Sequence, residues 1–105
     1  MKYGLQENII QKIQNLFAGF PEVDEVVLYG SRAKGNFRPG SDIDLSLKGD
    51  QLNLDALNKI DMLLDDLLLP YTFDLSVYWQ IDNAELIDHI DRVGVTFYSK
   101  DFGIK

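Results

Sequence analysis

The chain has 105 residues and no cysteine, which excludes disulfides, thiolate nucleophiles and Cys-ligated zinc and fits a reducing compartment. It carries one histidine, His89, with no second imidazole at metal-ligand spacing, so His89 is read as a structural or surface residue. Long apolar runs are missing as well. No stretch approaches the roughly 20 apolar residues that span a bilayer, and Met1-Lys2-Tyr3-Gly4 is not followed by a signal-peptide core. A cytoplasmic location away from any membrane is expected. Basic residues are scarce, 10 against 17 acidic ones, and the resulting charge of -7 repels a nucleic-acid backbone. Extended DNA or RNA is therefore disfavoured as a partner. Repeats, low-complexity tracts and linkers are absent from the sequence, while 46% hydrophobic and 26% charged residues are ordinary for a folded protein. One domain over 1–105 is expected, with little chain left for a second module.

What is present begins with Ile9, Ile10, Ile13, Leu16 and Phe17, whose spacing predicts a helix from Gln6 to Phe17 that Gly19 and Pro21 terminate. Glu25-Val26-Val27-Leu28-Tyr29 reads as a first strand, closed by the turn Gly30-Ser31. A short helix can open at Ser31 to Ala33, followed by a loop through Gly35, Pro39 and Gly40. From Asp42 to Leu47 the chain alternates strictly, predicting a second strand that buries Ile43, Leu45 and Leu47 and exposes Asp42, Asp44 and Ser46. Leucines then mark a helix from Asn53 to Leu68, stopped by Pro70. Its broad apolar stripe implies a place between two layers or surface left for a partner. Thr72 to Val77 alternates again and places Asp74 on the polar face of a third strand. Asn83 suits the N-cap of a last helix ending at Gly94, and Val95 to Tyr98 forms a final strand. The expected class is α/β (α+β), a small mixed sheet flanked by helices.

The chemistry concentrates between Gly30 and Leu45, with one contribution from further along. Asp42 and Asp44, two apart on a strand, leave the sheet on one side about 6.6 Å apart at Cα, close enough to share cations. A helical crossover makes the second and third strands parallel, so Asp74 can join them at one sheet end. The first strand must end where the second begins, which makes that pair antiparallel. Gly30 lets backbone approach a phosphate, Ser31 adds a hydroxyl, and Arg32, Lys34 and Arg38 can offer positive charge to a triphosphate. Carboxylates so crowded call for a divalent cation. Two competing motifs fail. No Gly-Lys-Ser/Thr completes a P-loop, and an EF-hand starting at Asp42 would have Leu47 and Asn53 where Gly and Glu are required. Tyr71, Phe73, Tyr78 and Trp79 read as core or interface residues rather than a base-stacking platform.

Gly30-Ser31, ten residues, Asp42-Ile43-Asp44 and a later Asp74 resemble the signature of the nucleotidyltransferase superfamily that includes DNA polymerase beta and kanamycin nucleotidyltransferase. The string Gly30-Ser31-Arg32-Ala33-Lys34-Gly35 with Ser41-Asp42-Ile43-Asp44-Leu45 is most similar to the minimal nucleotidyltransferases, or MNT proteins. This resemblance implies the nucleotidyltransferase fold, two Mg²⁺ ions held by Asp42, Asp44 and Asp74, and ATP or another NTP at Gly30, Ser31, Arg32 and Lys34. It also implies that Asp74 can help activate the attacking hydroxyl. Larger relatives carry a helical acceptor-binding domain for which no residues remain, so a helical HEPN-type partner is expected to complete the assembly. In such toxin-antitoxin pairs the MNT member is similar to an enzyme that moves AMP onto a tyrosine of the HEPN protein. Two alternatives stand beside it. One is an antitoxin that acts by binding alone, and the other is the nucleotide-binding subunit of a two-protein transferase acting on a small molecule such as an aminoglycoside.

Overall fold

The computed structural model of the chain describes residues 1–103. Before the first helix, Lys2, Tyr3, Gly4 and Leu5 close a tight turn, with positive φ at Tyr3 (57°) and Gly4 (73°) and a 2.7 Å bond from the Leu5 N–H to the Lys2 carbonyl. Helix α1 (Glu7–Ala18) then buries Ile10, Ile13 and Phe17 on the stripe that their spacing predicted. Strand β1 (Glu25–Tyr29) runs into a five-residue helix α2 (Gly30–Lys34), and β2 (Ile43–Lys48) follows the loop. The Asn53 side chain caps α3 (Leu54–Asp66) by accepting the Ala56 N–H at 2.8 Å. Strand β3 (Phe73–Val77), a 3-10 turn (Tyr78–Gln80), α4 (Ala84–Val93), β4 (Val95–Ser99) and a second 3-10 turn (Lys100–Gly103) complete the order. Asn83 caps α4 through the Leu86 N–H.

The four strands lie in the order β3-β2-β1-β4. Strand β1 is antiparallel to both neighbours, whereas β2 and β3 are parallel across the α3 crossover, so the sheet is mixed as expected. On one face Val26, Leu28, Ile43, Leu45, Leu47 and Phe97 meet Ile13 and Phe17 of α1 and Ile60 and Leu64 of α3, all essentially solvent-free. Each such side chain contributes about 1.5–3 kcal/mol by leaving water, so this layer holds the fold together.

The opposite face departs from the expectation of an open polar surface. Val27, Tyr29 and Ile90 form a second small core under Leu86, Val93, Tyr78 and Ile81. Helix α4 and the 3-10 turn therefore roof much of that face, and Ser46 is fully buried rather than exposed. Alternation identified the faces correctly but could not reveal that both would be covered. Helix α3 also ends two residues short of Leu68, which takes a positive φ of 55° and stands 88% exposed. Pro70 drives the residue before it toward extended backbone, and the last turn unwinds to accommodate that preference. Met62, Leu63 and Leu54 of α3 are exposed, the second of the two outcomes that its broad stripe implied. Among the described residues no helix is long and apolar enough to cross a membrane.

Candidate active site

The register of the sheet assembles the site. Tyr29 at the end of β1 is opposite Asp44 in β2, and Asp44 is opposite Asp74 in β3, so the three share one face in a row across three strands. Neighbouring strands are about 4.8 Å apart, which places the two carboxylates side by side. Asp42, just ahead of β2, is exposed, as is Asp74 on its edge strand, while Asp44 between them is half-buried. Burial, followed by the charges of Asp74 and Asp42, pushes the Asp44 carboxyl up to about 6, and the Arg32 guanidinium partly offsets this. Asp44 thus senses both other predicted carboxylates. Among the described residues no three acidic or imidazole side chains are drawn into a closed metal cage. The donor set nevertheless suits a hard divalent cation, since it consists of carboxylate oxygens with an excess of negative charge.

Gly30 stands over this row with φ +75°, and a Cβ built there would collide with Asp44 Oδ2. Glycine is needed at this position both for the backbone conformation and for the room that Asp44 occupies. Gly30→Ala should therefore displace the Asp44 carboxylate and strain the turn, lowering stability by about 2 kcal/mol. A thermal melt checks the expected loss, and an unchanged midpoint would contradict the crowding.

Arg32 is placed differently from its expected role at a triphosphate. It is 2% exposed, and its guanidinium donates to the carbonyls of Tyr3 (2.8 Å), Pro39 (3.3 Å) and Ser41 (2.8 and 3.1 Å). Phe37 and Tyr71 lie over its charge at 5.4 and 5.1 Å. Arg32 is thus a brace from α2 to the loop, gripping the residue immediately before Asp42. The Ser41 hydroxyl accepts the Arg38 N–H at 2.8 Å and tightens the same loop. The ten residues between Gly30-Ser31 and Asp42 are the end of α2 and the loop that this brace closes. Lys34 and Arg38 are exposed, and Ser31 is half-buried in α2.

Two neighbours of the row escaped the sequence reading as site residues. Tyr29 is 6% exposed, and burial raises its pKa, reinforced by the Asp74 and Asp44 charges and opposed by the nearby Ser76 hydroxyl. Its place opposite Asp44 follows from the antiparallel register, which alternation alone does not fix. His89 of α4 accepts the Gly30 N–H at Nε2 (3.2 Å) and meets the Tyr29 ring edge-on, with ring centroids 6.0 Å apart. The Gly30 N–H is therefore already partnered. Of the aromatics, Tyr71 and Phe73 pack against the core, Tyr78 sits under Lys48, and Trp79 is exposed.

Comparison with known proteins agrees with this fold. The family model described as "Polymerase beta, Nucleotidyltransferase" matches residues 11–103. No curated protein sequence is a significant match. Among solved structures, a chain of a toxin-antitoxin complex with AMP-PNP is similar at TM-score 0.69 and 24% identity, over 90% of this chain and 74% of that one. A chain from a complex of tri-AMPylated Shewanella oneidensis HEPN toxin with MNT antitoxin is similar at TM-score 0.67 and 20% identity, over 90% and 73%. A chain of the toxin-antitoxin complex MntA-HepT is similar at TM-score 0.66 and 20% identity, over 90% and 73%.

Proposed function

The chain belongs to the polymerase beta nucleotidyltransferase family, and on that premise we propose that it transfers AMP from ATP to a hydroxyl acceptor, releasing pyrophosphate. The observation that carries this reading is the Asp44–Asp74 pair in register, with Asp42 two residues ahead and Gly30 directly above. Asp42, Asp44 and Asp74 would hold Mg²⁺, which when bound polarises the phosphoryl oxygens and lowers the pKa of the attacking hydroxyl. The remaining work falls to the chain's own groups. Gly30 leaves the room that the Asp44 carboxylate occupies, Ser31 brings a hydroxyl to the phosphates, and Arg32 fixes the loop that presents Asp42. Asp74, exposed on the edge strand, would take the proton of an acceptor hydroxyl arriving from that side. That hydroxyl oxygen bonds to the α-phosphorus as the bond to the bridging oxygen breaks, and the electron pair leaves with pyrophosphate.

The acceptor we infer is a tyrosine of a helical HEPN-type partner, with this chain as the antitoxin of a cytoplasmic pair. Support comes from the shared fold with chains from toxin-antitoxin complexes, one with AMP-PNP and one with an AMPylated HEPN toxin. The exposed apolar residues of α3 are compatible with such an assembly. Intact mass spectrometry of the co-purified partner after incubation with Mg²⁺ and ATP tests the proposal. A gain of one or more AMP units is expected, and no adduct with any NTP would overturn it.

A stability experiment probes the same carboxylates. Because the folded-state pKa of Asp44 lies above its ordinary value of 3.8, the folded chain binds more protons than the unfolded one between about pH 4 and 6. Metal-free stability should thus fall as pH rises through that window and stay low above it. At pH 7.5 without Mg²⁺, Asp44→Asn should melt roughly 4 °C or more above the unsubstituted chain, about 1 kcal/mol after allowance for solvent screening. The gap should narrow at pH 4. A lower melting point for the variant at pH 7.5 would contradict the crowding.

A further inference from the structure

The geometry points to His89 as a positioning residue for the nucleotide turn, a role that rests on the proposed transfer. Gly30 opens α2, so its N–H has no partner within the helix and would otherwise face solvent or a neighbour. The neighbour is His89 Nε2, 59 residues along the chain at 3.2 Å. An imidazole accepts at that nitrogen only when its lone pair is free, which fixes both tautomer and ring orientation. The same ring stands edge-on to Tyr29, the residue before Gly30 and the cross-strand neighbour of Asp44. One side chain of α4 thereby holds two successive residues of the turn that overlies the carboxylate row. Ile90, next to it, anchors α4 in the second core with Val27 and Tyr29, so the imidazole is delivered from a fixed support.

The peptide plane before Gly30 is rotated into an unusual orientation by φ +75°, and the His89 contact holds its N–H there. With that donor occupied, the Ser31 hydroxyl is the group of this turn left for a phosphate. Losing the contact lets the turn rotate, and the nucleotide must then restore the orientation at the expense of its affinity. His89 does not touch the reacting atoms in this account. Its removal acts on binding more than on the chemical step.

Three full-length variants separate the hydrogen bond from ring packing. His89→Gln keeps an acceptor at similar reach without the ring, His89→Phe keeps the ring without an acceptor, and His89→Asn keeps an amide too short to reach. Amide hydrogen exchange at Gly30 should be slow in the unsubstituted chain and in His89→Gln, and about tenfold faster in the other two. The KM for ATP should rise roughly three- to tenfold in His89→Phe and His89→Asn, with kcat within about twofold, and His89→Gln should restore it. Full function in His89→Phe with loss in His89→Gln would make the contact one of packing and overturn the role. Equal exchange and equal KM in all chains would do the same. Failure of the unsubstituted chain to bind any nucleotide, with the exchange pattern as expected, would overturn the transferase reading and the nucleotide role together while leaving the bond established.

Discussion

Asp44→Asn should lower AMP transfer by about 10³-fold or more while leaving the fold intact. The amide has nearly the shape of the carboxylate, so packing beneath Gly30 is kept and the charge alone is removed. Asp44 is the middle member of the row, half-buried, and its carboxyl is raised by that burial and by the charges of Asp74 and Asp42. A neutral side chain there supplies a much weaker cation ligand and reduces the attraction that draws metal and triphosphate into the site. Loss of transfer joined to a gain in metal-free stability is the expected signature of a group that works against its own fold. Steady-state transfer and a melting curve on the same preparation check both halves. Near-normal transfer by Asp44→Asn would remove the row from the chemistry.

Arg32→Ala is expected to act in the reverse sense, with its primary effect on folding. The guanidinium makes four hydrogen bonds to three carbonyls inside the protein and lies against two aromatic rings. Removing it leaves the carbonyls of Tyr3, Pro39 and Ser41 without this donor and opens a void between Phe37 and Tyr71. A loss of about 3 kcal/mol or more is expected. Because Ser41 precedes Asp42, transfer should also fall, as a consequence of a loosened loop. Lysine is a poor replacement, since one ammonium cannot reach carbonyls on both sides as the planar fork does. Denaturant titration of Arg32→Ala and Arg32→Lys tests this. A variant of full stability that lost only ATP affinity would return Arg32 to the phosphate-contacting role its charge first suggested.

These two residues mark how far the sequence could be read. Alternation at Ile43, Leu45 and Leu47, and again at Phe73, Leu75 and Val77, was enough to put Asp44 and Asp74 on one face. The helical crossover made their strands parallel, and the sheet has that order and those directions. The Asn83 cap of α4 was also legible from local sequence, whereas Asn53, read as the start of its helix, is instead its cap. What lay beyond reach depended on contacts distant in sequence. Arg32 looked like an available cation because nothing local says that the N-terminal turn at Tyr3 and Gly4 folds over it. His89 was legible as a structural or surface residue, but its partner, 59 residues away, was not. Ser46 looked exposed because alternation identifies a polar face without stating what packs on it. The outward leucines of α3 were legible as surplus, yet their spacing says nothing of what covers them.

The most direct test of the central claim follows each phosphate of ATP. The chain and its partner, purified together with Mg²⁺, are incubated with ATP labelled on either the α- or the γ-phosphate, alongside the Asp44→Asn complex. Label from the α-phosphate alone should become covalently attached to the partner, with pyrophosphate released in equal amount and none of this in the variant. Attachment of γ-label, or equal α-labelling by Asp44→Asn, would contradict nucleotidyl transfer at the Asp42, Asp44 and Asp74 row.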